Sequence, residues 1–294
     1  MSHGSGTLEF QRVAGRTVLT RSRASSPLTL QSPRRRGESA WAVCGSLGGG
    51  LVAGDRVDMD VTVGAGATAL IGTQASTKVF RSPENIACCQ RLNAQVEADG
   101  VLVVAPDPLT CFAGAIYEQR QRFELHETAS LVVIDWLTSG RRARGERWAF
   151  NRCELATEVF VEGRQTFRDV IRLAAADGPL DAPSRMGRCD CWATVILAGP
   201  RVAEAGQTLL EFVSRQPLTL LSPSPCTQGP ALSLSNGEGR GGGSSAAYLS
   251  AGAIAGGVML RAASESAESM LRFFRERLAF LGELCGDDPW SRKN

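Results

Sequence analysis

Two carboxylates set among apolar residues are where this sequence offers chemistry. Asp135 interrupts the run Leu131-Val132-Val133-Ile134 and Trp136-Leu137, and Asp169 stands between Phe167 and Val170-Ile171. A carboxylate inside a buried run must be paired, hydrated or neutral, because taking a bare charge out of water is costly. Arg141, Arg142 and Arg144 are close enough along the chain to pair with Asp135, and an internal water channel would hydrate it instead. Structural pairing is the ordinary fate of a buried charge; a polar path through the interior is the functional alternative.

The other familiar constellations are missing. No Walker lysine sequence is present, and the glycine-rich stretch Gly45–Gly54 lacks G-x-G-x-x-G and is followed by no helical pattern, so neither nucleotide hydrolysis nor a dinucleotide site is expected. Catalytic triads need a histidine. Only His3 and His126 exist, the first expected in a frayed terminus and the second at a strand end. Structural zinc takes about four Cys or His ligands in spaced pairs. Cys88-Cys89 and Cys189-x-Cys191 do not give that spacing, and adjacent strand residues point to opposite faces. Packing thiols are the better reading.

The elements that would position the carboxylates are strands. In Val57–Val63, Val57, Met59, Val61 and Val63 share one face, while Asp58, Asp60 and Thr62 share the other. Further strands are expected at Thr7–Phe10, Arg16–Thr20, Thr68–Thr73, Leu92–Val96, Val101–Ala105, Arg120–Leu125 and Trp192–Leu197. Leu155–Val161 and Arg164–Leu173 flank Glu162-Gly163, a hairpin turn signal. Leu131–Leu137 is nearly continuous in apolar residues, as in a strand covered on both faces. Helical periodicity comes late, at 201–215 and 265–285. In the second, Leu271, Phe274, Leu278, Leu281 and Cys285 form a stripe, Ser264 is expected to cap the start, and Gly286 to close the end. Residues 222–245, with Pro-Ser-Pro and three consecutive glycines, read as a flexible surface loop. The expected architecture is mostly β: stacked β-sheet layers in one large domain spanning 1–294, with about two C-terminal helices.

Composition narrows the setting. The chain has 294 residues, 43% of them hydrophobic, and a formal net charge of +2, which gives no reason to expect nucleic acid or an anionic membrane as partner. Of 32 basic residues only Lys78 and Lys293 are lysines. Nine cysteines are scattered with no apolar signal core before them, which reads as free thiols in a reducing compartment, and a cytoplasmic location is expected. No apolar run approaches the ~18–20 residues of a membrane span.

Four blocks in order carry a resemblance. Gly48-Gly49-Gly50-Leu51-Val52-Ala53-Gly54-Asp55-Arg56 is similar to a "GGxxxGD" signature. Thr73-Gln74-Ala75-Ser76-Thr77-Lys78-Val79-Phe80-Arg81-Ser82 resembles "TTQAxTKxYRS", with Gly72 at a place usually held by a hydroxyl residue and Phe80 for a common tyrosine. Pro106-Asp107-Pro108 with Phe112-Ala113-Gly114-Ala115 resembles "LPxPxxxFxxA", and Gly140-Arg141-Arg142-Ala143-Arg144-Gly145-Glu146 resembles "GRxxxGE". Together they resemble the UreD (UreH) family of urease accessory proteins. The resemblance implies a non-enzymatic scaffold that binds apo-urease with UreF-like and UreG-like partners, the latter a GTPase. It further implies nickel passing through an internal water-filled tunnel, with no tightly bound cofactor and only a transient nickel ion. On it, Asp55, Thr77, Asp135 and Asp169 are the expected tunnel residues, and Lys78, Arg81, Arg141, Arg144 and Glu146 an internal charge network. Asp55 has a second reading as a turn residue. The alternative function is a pure protein-binding scaffold with no direct metal contact.

Overall fold

Alternating strands of this kind bury one face each, and the chain solves that by winding. The computed structural model describes residues 2–33, 37–215 and 247–291; the loop expected at 222–245 lies outside them. The strands in chain order are β1 (His3–Val13), β2 (Arg16–Ala24), β3 (Leu28–Gln31), β4 (Ala40–Ser46), β5 (Arg56–Val63), β6 (Thr68–Thr73), β7 (Thr77–Val79), β8 (Cys88–Val96) and β9 (Val101–Val104). They continue as β10 (Leu109–Cys111), β11 (Ile116–Leu125), β12 (Ser130–Thr138), β13 (Arg152–Val161), β14 (Arg164–Ala174), β15 (Cys191–Ala198), β16 (Ala247–Ile254) and β17 (Gly257–Ser264). One sheet has the order β14-β13-β11-β8-β5-β1-β2; the other runs β16-β17-β15-β12-β9-β6-β4-β3, with β7 and β10 beside it. From β4 to β13 the long strands alternate between the two sheets, so strands next to each other in one sheet run parallel.

The two ends of this coil differ. At one end the turns are short and stack: Glu97 N–H donates to Val63 O (2.9 Å), His126 N–H to Val96 O (2.9 Å), and Val101 N–H to Ala67 O (2.8 Å). At the other end the connections are long, and all four family-like blocks fall there. Leu51 N–H donates to Lys78 O (2.8 Å), Phe112 N–H to Val79 O (2.9 Å) and Gly114 N–H to Ala149 O (2.9 Å). Phe80 and Phe112 meet edge to face at 5.3 Å, and the Arg141 guanidinium lies 4.1 Å over the Phe112 ring. A Cβ at Gly50 would stand 2.7 Å from Lys78 O, so this crossing admits only glycine.

The second sheet is covered on both sides. Leu131 and Val133 of β12 face the first sheet, while Val132, Ile134 and Trp136 face helices. That is why the run lacks alternation. The helices are α1 (Ala203–Ser214), α2 (Ala267–Arg277) and α3 (Phe280–Cys285). Phe274 packs edge-on against Trp136 (5.3 Å) and stacks on Trp290 (5.7 Å).

Several expectations need correction. The helix expected at 265–285 is two helices, because the backbone leaves helical geometry at Leu278 (φ −111°) and that residue turns fully into the core. Its cap is Ser266, whose hydroxyl accepts from Ser269 N–H at 3.1 Å; Ser264 is instead the buried last residue of β17. Ser266→Ala should cost about 1 kcal/mol, read as a fall in Tm of about 2–4 °C. Gly286 does close α3, at φ 77°. His3 is not frayed: it lies in β1 with its ring 2.8 Å from Asp58. Glu162 and Gly163 both take positive φ (49° and 73°), the tight turn expected between β13 and β14.

Candidate functional site

Asp135 sits at the middle of β12, on the face turned toward the first sheet, and is 8% exposed. No arginine pairs with it among the described residues. Arg141 pairs with Glu146, Arg142 with Asp190 (its carboxylate also held by Arg147), and Arg144 is exposed. Amides and a hydroxyl from the opposite sheet hold Asp135 instead. Gln119 Nε2 donates to Oδ1 at 2.9 Å, Gln121 Nε2 to Oδ1 and Oδ2 at 2.8 and 2.9 Å, and Thr157 Oγ1 lies 3.4 Å from Oδ2. Burial pushes the Asp135 carboxyl above the ordinary aspartate range, against the opposing pull of the hydrogen bonds from those three residues; Asp169 adds to the upward push.

The supporting polar side chains are in phase with buried positions. On β11, Tyr117, Gln119, Gln121, Phe123 and Leu125 share one face, so the two glutamines replace core residues. The buried Tyr117 hydroxyl lies 2.7 Å from Gln90 Oε1 and 3.0 Å from Gln119 Oε1, linking β8 to β11. Thr157 lies in the same phase as Cys153, Leu155 and Val159. None of these was expected from the sequence. The available signal was polar residues standing at the apolar beat of an alternating strand.

A partly open cavity of about 850 Å³, open solvent at its mouth included, runs from Asp135, Gln119 and Gln121 past Asp107 and Gly72 to Thr73, Thr77 and Gln90. A second, of about 750 Å³, adjoins it: Thr73, Thr77, Gln90, Cys44, Val57 and Leu28 line both. The second cavity reaches the exposed residues Gly49, Gln74 and Lys78 at the end where the family-like blocks converge. Asp107 and Thr73 hold each other at the junction, Thr73 Oγ1 accepting from Asp107 N–H at 2.7 Å. Burial pushes the Cys44 thiol on this wall up to about 12, so it is a neutral thiol at physiological pH.

The four expected path residues therefore separate. Thr77 and Asp135 line this space. Asp55 lines neither cavity; its oxygens accept from Ser2 N–H (3.0 Å), Ser2 Oγ (2.7 Å) and Val52 N–H (3.0 Å), fastening β1 to the turn before β5, and these bonds hold its carboxyl below the ordinary range despite burial. Asp169 is paired with Arg261 at 2.6 Å and lines neither cavity. The expected internal charge network reduces to Arg141–Glu146, since Lys78, Arg81 and Arg144 are exposed. Among the described residues no group of three or more His, Cys, Asp or Glu side chains is placed to hold a metal ion, and no helix is long and apolar enough to cross a membrane.

A coil of two β-sheets, covered by helices on one side and holding a cavity whose mostly apolar wall carries a few oxygen-bearing side chains, defines a two-sheet β protein with C-terminal helices. The UreD urease accessory protein family model matches residues 2–292, and the chain belongs to that family. It is 45% identical over 290 residues to the urease accessory protein UreD of Sorangium cellulosum, covering 99% of this chain and 84% of the relative. It is 42% identical to that of Anaeromyxobacter sp. (98% and 89% covered), and 32% identical to urease accessory protein D of Arabidopsis thaliana (98% and 99%).

Proposed function

We propose that this chain is a cytoplasmic, non-enzymatic scaffold that binds apo-urease together with UreF-like and UreG-like partners and passes nickel toward the urease active site through its interior. The observation that supports this reading is Asp135: a buried carboxylate with no cationic partner among the described residues, at the inner end of a cavity that opens on the surface. Burying an unneutralised carboxylate costs stability, and a passing cation would supply the missing charge. Amide, hydroxyl and carboxylate oxygens hold a hydrated divalent ion loosely, whereas imidazole and thiolate sets would retain nickel. A conduit needs that weakness. Nickel is cargo here, with no resident site.

The second reading is a pure binding scaffold with no metal contact. It draws on Asp55 and Asp169, whose carboxylates are already satisfied by protein partners. Apo-urease supplied with nickel and the partner proteins, with and without this chain, separates both readings from an unrelated role. Capture of the chain by apo-urease and a dependence of urease nickel content on it are expected; nickel loading that proceeds equally without it would contradict both.

A further inference from the structure

We infer that the Arg261–Asp169 ion pair plugs a second mouth of the interior path, at the side edge of the two-sheet coil. The inference rests on the conduit reading above and adds an exit to it.

Register carries it first. In the first sheet Gln121, Thr157 and Asp169 are successive cross-strand partners on β11, β13 and β14. In the second, Asp135, Thr194 and Arg261 are successive partners on β12, β15 and β17. The two rows face each other. Gln121 and Thr157 reach Asp135 across the gap at the inner end, and Arg261 NH2 reaches Asp169 Oδ1 at 2.6 Å at the outer end. With strands about 4.8 Å apart, the ion pair lies roughly 10 Å from Asp135.

Unsatisfied atoms come second. Gln121 Oε1 and Thr194 Oγ1 are buried without a hydrogen-bond partner, on residues 5% and 4% exposed. Both belong to these rows, Thr194 directly between Asp135 and Arg261. Buried polar atoms are almost always satisfied, so one orphan in each of the two facing rows marks a place between them for water or a hydrated ion.

Position is third. β14 ends its sheet, and the pair is partly open to solvent, with side-chain exposures of 43% for Arg261 and 15% for Asp169. An ion pair this exposed is weak. A cation leaving Asp135 along the row meets the Arg261 charge. It passes when Asp169 exchanges the guanidinium for the cation and Arg261 turns outward, an exchange of partners with no covalent step.

Ser250 tests the mouth without touching the plug: it is exposed on β16, directly across from Arg261. In the complete activation mixture, Ser250→Cys labelled with a bulky maleimide should lower nickel loading of urease at least tenfold, with urease capture retained. Unlabelled Ser250→Cys and reagent-treated wild type should load normally. Arg261→Met, lacking the plug, should load at least twofold faster under limiting nickel. Normal loading by the labelled variant, while Asp135→Asn still blocks, places the exit elsewhere and overturns the plug but not the conduit. Normal loading by both removes conduit and plug together. Loss of urease capture on labelling makes this edge a docking surface, and an Arg261→Met variant no faster than wild type leaves nothing for the pair to gate; either result overturns the inference.

Discussion

Thr77→Phe is expected to lower nickel delivery to urease at least tenfold while the chain still folds and binds apo-urease. Thr77 lies on the short strand β7, paired in parallel with β10, and its side chain borders both the outer and the inner cavity. A phenyl ring there fills the neck between them. Overpacking a half-buried position costs about 1–3 kcal/mol, which a chain of this size tolerates. Two controls separate size from chemistry. Thr77→Val keeps the shape and removes the hydroxyl, so it should lower delivery only modestly; Thr77→Ser keeps the hydroxyl and should deliver normally. Nickel content of urease, normalised to the amount of co-purified chain, is the measurement. Full loading by Thr77→Phe would mean that ions do not pass this neck.

Asp135→Asn should stabilise the protein at neutral pH and still impair it. Burial raises the Asp135 carboxyl above its ordinary range, so the folded state keeps a proton to higher pH than the unfolded chain does. Between the ordinary aspartate value and the raised one, the unfolded state binds fewer protons, and stability falls as pH rises. At pH 7, above the ordinary aspartate value, the folded protein carries this penalty. The asparagine variant carries none, since Gln121 can turn its unsatisfied Oε1 toward the new amide N–H. Its Tm should therefore exceed that of wild type at pH 7, by about 2–4 °C for each kcal/mol recovered. The gap should close as pH falls toward ~4, the ordinary aspartate range. Melting curves from pH 4 to 8 decide this; a variant less stable than wild type at pH 7 would show that the carboxylate is a structural anchor. Nickel delivery should fall about tenfold in the same variant, because the way-station has lost its charge.

The sequence carried more of the architecture than of the site. Alternation in Val57–Val63 and in Leu92–Val96 is visible because one face meets the core and the other meets water. The same logic hides β4, β16 and β17. Ala40–Cys44 lies in a sheet covered on both faces, and in Ala247–Ile254 five of the eight residues are Ala, Gly or Ser, which leaves little hydrophobic contrast. The coil escaped notice because its repeat is spatial, with each turn of different length and composition. Asp135 stood out as a charge in a continuous apolar run. Gln119, Gln121, Thr157 and Thr194 did not, because uncharged polar residues on a strand ordinarily face solvent. Asp169 was legible as a carboxylate among apolar residues and Asp55 only through the family resemblance, but their partners Ser2 and Arg261 are 53 and 92 residues away, beyond any local pattern.

The central claim is that nickel passes Asp135, and urease nickel stoichiometry tests it most directly. Apo-urease is matured with its partners under limiting nickel, using either wild-type chain or Asp135→Asn, and the isolated complex and the metal content of urease are both measured. The account predicts an intact complex of unchanged composition, with urease holding about a tenth of the wild-type nickel. An intact complex whose urease is fully loaded would contradict it, and would leave the chain as a scaffold that nickel bypasses.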